Sequence, residues 1–214
     1  MSSLLNQLSA CSGLLPLTAV GLRFRTFGPV LRQLAWFFFI SVLFDLVSVV
    51  TDHLRIRNIP LFHVFSVVNL LFLSALYHQA LTGVLVRYTI RLAAGAILLY
   101  TVYSAGQPGQ IWQFPSAVMT AQCVFFIVLS LIYFYQLLRQ PVVVAIENNP
   151  LLWVNAGVLI YFSGNLFLFM LQAWISQTPQ AQHYTNFWVI HSIVNILANL
   201  FYAAGLLCKP QRLT

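Results

Sequence analysis

The chain has 214 residues, 60% of them hydrophobic and 6% charged, with a mean hydropathy of +0.86. A soluble domain carries about a quarter charged residues, so most of this surface faces lipid and no length is left for a soluble catalytic or nucleic-acid-binding domain. The formal charge of +7 is then a matter of membrane topology, and neither nucleic acid nor a cofactor is expected.

A first span is predicted over residues 4–22, diluted by Asn6, Gln7, Ser9, Ser12 and Pro16, with a kink near Pro16. Leu8-Ser9-Ala10-Cys11 has the small-residue pattern that precedes a lipidated cysteine. The stretch before it lacks the positive charge and apolar core of a signal peptide, so lipidation is not expected. Arg23, Arg25, a Gly28-Pro29 breaker and Arg32 lead to a second span over 34–51. Asn58-Ile59-Pro60 is a start signal for a third span over 60–83, because a proline in the first turn gives up no hydrogen bond. Gly83 marks its end, and Arg87 and Arg91 open a fourth span over 88–105. A Gly- and Pro-containing loop precedes a fifth span over 116–138. Asn149-Pro150 opens the sixth, 151–175, and a polar loop over 177–184 leads to the seventh, 186–207. The whole of 1–214 thus reads as one all-α integral membrane domain, a seven-transmembrane helix bundle.

Orientation follows from the basic residues. Arg23, Arg25, Arg32, Arg87, Arg91, Arg139, Lys209 and Arg212 fall on one side, and only Arg55 and Arg57 on the other. The first side is expected to be cytoplasmic, with the N-terminus outside. Trp36 and Trp153 then sit at inner ends, and Trp112, Trp174 and Trp188 at outer ends, as an aromatic belt requires. Cys11, Cys123 and Cys208 are odd in number and widely spaced, which implies neither a disulfide framework nor a zinc site.

Ser66-Val-Val-Asn69 in the third span is echoed by Ser192-Ile-Val-Asn195 in the seventh. Both helices run the same way, which fits a 3+1+3 parallel repeat with the fourth span as linker.

Polar residues four apart share a helix face. Ser41, Asp45, Ser48 and Asp52 form a stripe on the second span, and Tyr184, Trp188, His191, Asn195, Asn199 and Tyr202 another on the seventh. Neither stripe is stable against lipid, so both are expected to face the bundle interior. Asp45 and His191 lie at similar depth, and His63, Gln122 and Gln172 also fall in the outer half. The candidate pocket is therefore Asp45, Ser48, His63, Asn69, Gln122, Gln172, His191 and Asn195. A carboxylate is costly at that depth, so Asp45 is expected to pair with a protonated His63 or His191; a neutral Asp45 hydrogen-bonded to a neighbouring serine or asparagine is the plainer alternative.

Several chemistries are excluded. A retinal Schiff base needs an intramembrane lysine, and the only lysine is Lys209 in the tail. Tyr161-Phe-Ser163-Gly164 lacks the first glycine of a rhomboid-type Gly-x-Ser-Gly element, and no His-x-x-x-His pair suits zinc hydrolysis. Sugar and amino-acid carriers of the three-plus-one-plus-three class have this layout but place a Pro-Gln signature inside helices, whereas Pro179-Gln180 and Pro210-Gln211 lie outside them.

The chain resembles a group of small bacterial seven-helix inner-membrane proteins with no established activity. The likeness rests on Asp45, Asn58-x-Pro-Leu-x-His63, Trp153-x-Asn155 with Tyr161-Phe-Ser-Gly164, and Ile190-His191-Ser192. It implies the architecture and a plasma-membrane location. It also implies an acid in relatives where this chain has Asn69, and hence no proton or cation role for that position here. Three functions are expected, in this order: a receptor-like or sensory subunit with an outward-facing polar pocket and a cytoplasmic or membrane signalling partner; a small-solute or ion carrier; and an intramembrane lipid-acting enzyme. The enzyme ranks last because no nucleophile–base or metal spacing is visible.

Overall fold

The structure, a computed structural model, describes residues 2–139, 148–177 and 187–208. Regular structure among the described residues is helical throughout: α1 (Ser2–Ser12), α2 (Leu14–Arg23), α3 (Pro29–His53), α4 (Ile59–Ala80), α5 (Val84–Gly106), α6 (Ser116–Arg139), α7 (Pro150–Gln177) and α8 (Phe187–Leu207). Six of these, α3 to α8, are long and apolar enough to cross a membrane.

The first predicted span is two short helices, neither of which has that length alone. The kink expected near Pro16 is a break at Gly13. The displacement has a local cause. A proline inside a helix offers no N–H to the carbonyl four residues earlier and crowds it, so the fault opens one turn ahead of the ring.

Four other boundaries move. Gly28-Pro29, read as a breaker, is a helix start, with Pro29 in the first turn of α3. The helix ends in a reversed turn in which Ile56 N–H reaches Thr51 O and Arg55 N–H reaches Asp52 O, both at 2.9 Å. Arg55 takes the left-handed conformation there, at φ 54. α4 stops at Ala80 instead of Gly83, because the Gln136 amide grips Thr82: its Oε1 accepts from the Thr82 N–H at 3.0 Å and its Nε2 donates to the Thr82 carbonyl at 3.1 Å. With the chain turned at Thr82 and Gly83 at φ 101, α5 begins at Val84, before the expected residue 88.

The two ends of the bundle are named here by residues they carry. The Arg23 end holds Arg23, Pro29, Arg139 and Pro150; the Trp188 end holds His53, Ile59, Ser116 and Trp188. α7 and α8 form the tightest pair. A Cβ placed on Gly164 would lie 2.6 Å from Val194 Cγ2, one on Gly157 2.6 Å from Tyr202 Cε1, and one on Gly205 2.7 Å from the Pro150 carbonyl oxygen. Close backbone approach of this kind holds membrane helices together where lipid removes the hydrophobic drive. α6 packs along α7, α1 and α2 along α8, and α4 touches α3, α5 and α6. α5 is peripheral and buries only Ile90 and Thr101.

Two polar clamps tie helices together towards the Arg23 end. Tyr77 donates to Asn155 Oδ1 at 2.7 Å, and Asn155 exchanges 3.2 Å bonds with Ser130, so one asparagine joins α4, α6 and α7. Arg23 Nη1 donates to the carbonyls of Leu207 and Cys208, satisfying orphan acceptors where α8 ends.

The buried residues of α3 are Leu34, Ala35, Phe37 and Phe38, all towards the Arg23 end. Its other half, which carries Asp45, stands off from α8. The candidate site is in that gap.

Candidate functional site

The gap is a cavity of about 150 Å³ between the helices, walled by α3, α4, α7 and α8 with Met119 of α6, and bordered by Gly13. A second recess of about 220 Å³ adjoins it between α1, α3 and α8. Asp45, Ser48, Trp188, His191 and Asn195 line both, so these five side chains stand where the two spaces meet.

The first cavity is walled mostly by aromatic rings, among them Phe37, Phe44, Phe65, Tyr161, Phe169 and Trp188. Its floor, towards the Arg23 end, is Phe38 against Tyr202, with ring centroids 5.1 Å apart. The second recess adds Ser9 and Ser192 and is the more polar space.

Each polar group of α8 is set by a neighbouring helix. Asn195 Nδ2 donates to Ser9 Oγ at 3.0 Å and Asn199 Nδ2 to Ser12 Oγ at 2.8 Å, so the polar residues that dilute α1 seat it on α8. His191 is oriented by a relay. Asn165 Nδ2 donates to the Tyr161 carbonyl at 2.8 Å, which turns its Oδ1 towards His191 Nδ1, also at 2.8 Å. The amide oxygen can only accept, so Nδ1 carries the proton and Nε2 the lone pair of the neutral ring.

Asp45 lies eight residues before the end of α3 at His53, about 12 Å along the axis at ~1.5 Å per residue. Its Oδ2 lies over the helix break, 3.4 Å from where a Cβ on Gly13 would be. Neither histidine pairs with it, contrary to expectation. His63 is buried and its Nε2 meets the Gln113 carbonyl at 3.0 Å, while His191 is committed to Asn165. Among the described residues Asp45 makes no direct hydrogen bond, and its carboxylate opens onto both spaces. The two pairings fail for different reasons: His63, on α4, is turned to the Gln113 carbonyl, and His191 is held by Asn165 on the α8 side of the gap.

Of the eight candidate residues, the structure brings Asp45, Ser48, Asn69, His191 and Asn195 to the chamber. Ser48 also accepts from Asn58 Nδ2 at 3.0 Å. The other three are not among the lining residues. Gln122 is buried and donates to the Ser66 carbonyl at 3.1 Å, joining α6 to α4. His63 is held as above, and Gln172 is half-buried towards the Trp188 end of α7. Depth alone grouped these residues; their helix faces separate them.

The α8 stripe turns as expected. Trp188, His191, Asn195, Asn199 and Tyr202 line the cavity, and Ile193, Leu197 and Leu200 face outward, each more than two-fifths exposed. Tyr184 lies outside the described residues. On α3, Ser41, Asp45 and Ser48 line the cavity, whereas Asp52 is exposed. Sequence reasoning did not single out Gly13 or the aromatic wall. A glycine one turn ahead of a proline was the available signal for the first, and nothing in an apolar alphabet marks the second. Among the described residues no three His, Cys, Asp or Glu side chains gather as a metal site would require.

Comparison with family models, with curated proteins and with solved structures returns no match to this chain.

Proposed function

We propose that this integral membrane protein is a receptor-like subunit that binds a small ligand in the chamber between α3 and α8 and passes the event to a partner at the Arg23 end. The observation that carries the reading is the placement of Asp45, a carboxylate facing a cavity between helices with no direct hydrogen-bond partner among the described residues. A carboxylate at that depth is costly and suits a site that something else completes. The lining is what small-molecule pockets use, mainly aromatic with a few convergent polar groups. The positive-inside rule puts the Trp188 end outside, so the chamber would take its ligand from there. α3 is the moving part in this reading: its half nearest the Arg23 end is anchored by four buried residues, while the half bearing Asp45 buries none and is held more lightly, by the Phe44–Phe65 ring contact and the Asn58–Ser48 hydrogen bond.

The Arg23 end supports a receptor over a carrier, since among the described residues Phe38, Tyr202 and the Tyr77–Asn155–Ser130 clamp lie between the chamber and that face. One observation favours the carrier as a second reading. The first span packs on the seventh (α1 and α2 on α8) and the fifth on the third (α6 on α4), the exchange that a 3+1+3 parallel repeat would give. Proteoliposomes separate the two. The receptor reading expects saturable binding of a pocket ligand without its flux across the bilayer. Flux that Asp45→Asn abolishes would overturn it in favour of a carrier.

A further inference from the structure

The chamber has an electrostatic asymmetry that narrows its ligand. Among the described residues Asp45 is the only acid lining either space, and no lysine or arginine lines them. The remaining titratable group of basic character is His191, whose Nδ1 proton is already given to Asn165. An anionic ligand would meet a carboxylate with no cation to receive it. A neutral ligand would cover that carboxylate without supplying a counter-charge, so the acid would stay charged at a high cost or have to take up a proton. A cation removes both difficulties.

The walls say which kind of cation. A metal ion such as Ca²⁺ wants six to eight oxygen ligands, or about six for Mg²⁺, and most of this lining is aromatic carbon. Aromatic faces instead attract organic ammonium groups through the ring quadrupole. The two spaces also differ in a useful way. A cavity of about 150 Å³ is the size that accepts a benzene-sized group. The adjoining recess holds Ser9, Ser48, His191 and Asn195 around the carboxylate, with acceptors for N–H donors. His191 Nε2, the lone-pair nitrogen set by the Asn165 relay, is one of them.

Resting on the reading of the chamber as a binding pocket, we infer that its ligand is a small protonated arylalkylamine, with the ring in the aromatic cavity, the ammonium at the junction of the two spaces, and Asp45 as its counter-ion. Trp188 lines both spaces, which sets an aromatic ring beside the ammonium. Binding draws Asp45 and the α8 side chains together across the gap, which is the closure of α3 that the receptor needs.

The test is calorimetric titration of the full chain in nanodiscs with two near-isosteric probes, 2-phenylethylammonium and neutral 2-phenylethanol. The ammonium is expected to bind at least about 10-fold more tightly than the alcohol, a difference of ~1.4 kcal/mol. Asp45→Asn, which keeps the shape and removes the charge, is expected to weaken the ammonium at least about 10-fold and leave the alcohol within about 3-fold. Ser48→Lys places an internal ammonium one turn from Asp45 and is expected to displace the ammonium probe; it decides the matter if Asp45→Asn does not accumulate. Equal binding of the two probes, or wild-type ammonium affinity in either variant, overturns the ligand class while leaving the pocket standing. Failure of both probes to bind the wild-type protein overturns the ligand class and the pocket together.

Discussion

Gly164→Ala puts the packing of α7 on α8 to a direct test. The added methyl would lie 2.6 Å from Val194 Cγ2, 2.8 Å from Cγ1 and 3.3 Å from Cβ. Turning Val194 about χ1 cannot relieve it, because the branched carbon is itself close and one of its methyls replaces the other. The helices must separate by a few tenths of an ångström. The next residue on α7, Asn165, is the one that holds His191 at 2.8 Å, so the separation is felt in the site as well as in the fold. Overpacking of this kind costs about 1–3 kcal/mol, and loss of one interhelical hydrogen bond in a membrane protein adds about 0.6 kcal/mol. At ~2–4 °C per kcal/mol for a chain of this size, the apparent midpoint should fall by roughly 2–14 °C relative to a Gly→Ala change elsewhere in a helix, which shares the same gain in helix propensity. The assay is thermal unfolding in one detergent, with Gly95→Ala as control, since a Cβ there meets nothing within 4 Å. The control should be neutral or up to about 1 kcal/mol more stable, as Ala replaces Gly inside a helix. Equal midpoints for the two variants would refute the close packing of α7 on α8.

Tyr77→Phe removes the hydroxyl that donates to Asn155 Oδ1 at 2.7 Å and should cost about 1 kcal/mol in the same thermal assay, with no loss if Asn155 is not the clamp. Arg55→Gly should stabilise by up to about 1 kcal/mol, since Arg55 is held at φ 54 where glycine is unstrained; an unchanged or lower midpoint would mean that its side chain contributes more than the strain costs. Single cysteines at Gln107 and Gly28, in a background without Cys11, Cys123 and Cys208, test the orientation. Gln107 should react with a membrane-impermeant maleimide on intact cells and Gly28 only after permeabilisation, and the reverse pattern would invert the topology.

Much of the architecture was legible in the residues themselves, because lipid imposes a simple rule: long apolar runs become helices, and polar stripes turn inward. That rule located α3 to α8 and turned His191, Asn195 and Asn199 away from the exposed face of α8. It also marked Asp45, since an acid in an apolar run is conspicuous in any fold. What it could not supply was the distance between helices. The sequence placed Asp45, His63 and His191 at similar depth, but pairing depends on which faces meet and how closely, and these are settled by steric contacts far apart in the chain. Gly157, Gly164 and Gly205 let α7 and α8 close on each other, while α3 buries residues, Phe37 and Phe38 among them, at one end only. Gln136, from another helix, ends α4 at Ala80 by gripping Thr82, which no local pattern announces. The chamber is the volume left where those contacts stop. Its outline belongs to the tertiary structure alone, because a cavity is defined by atoms that fail to meet, and no single helix carries that information.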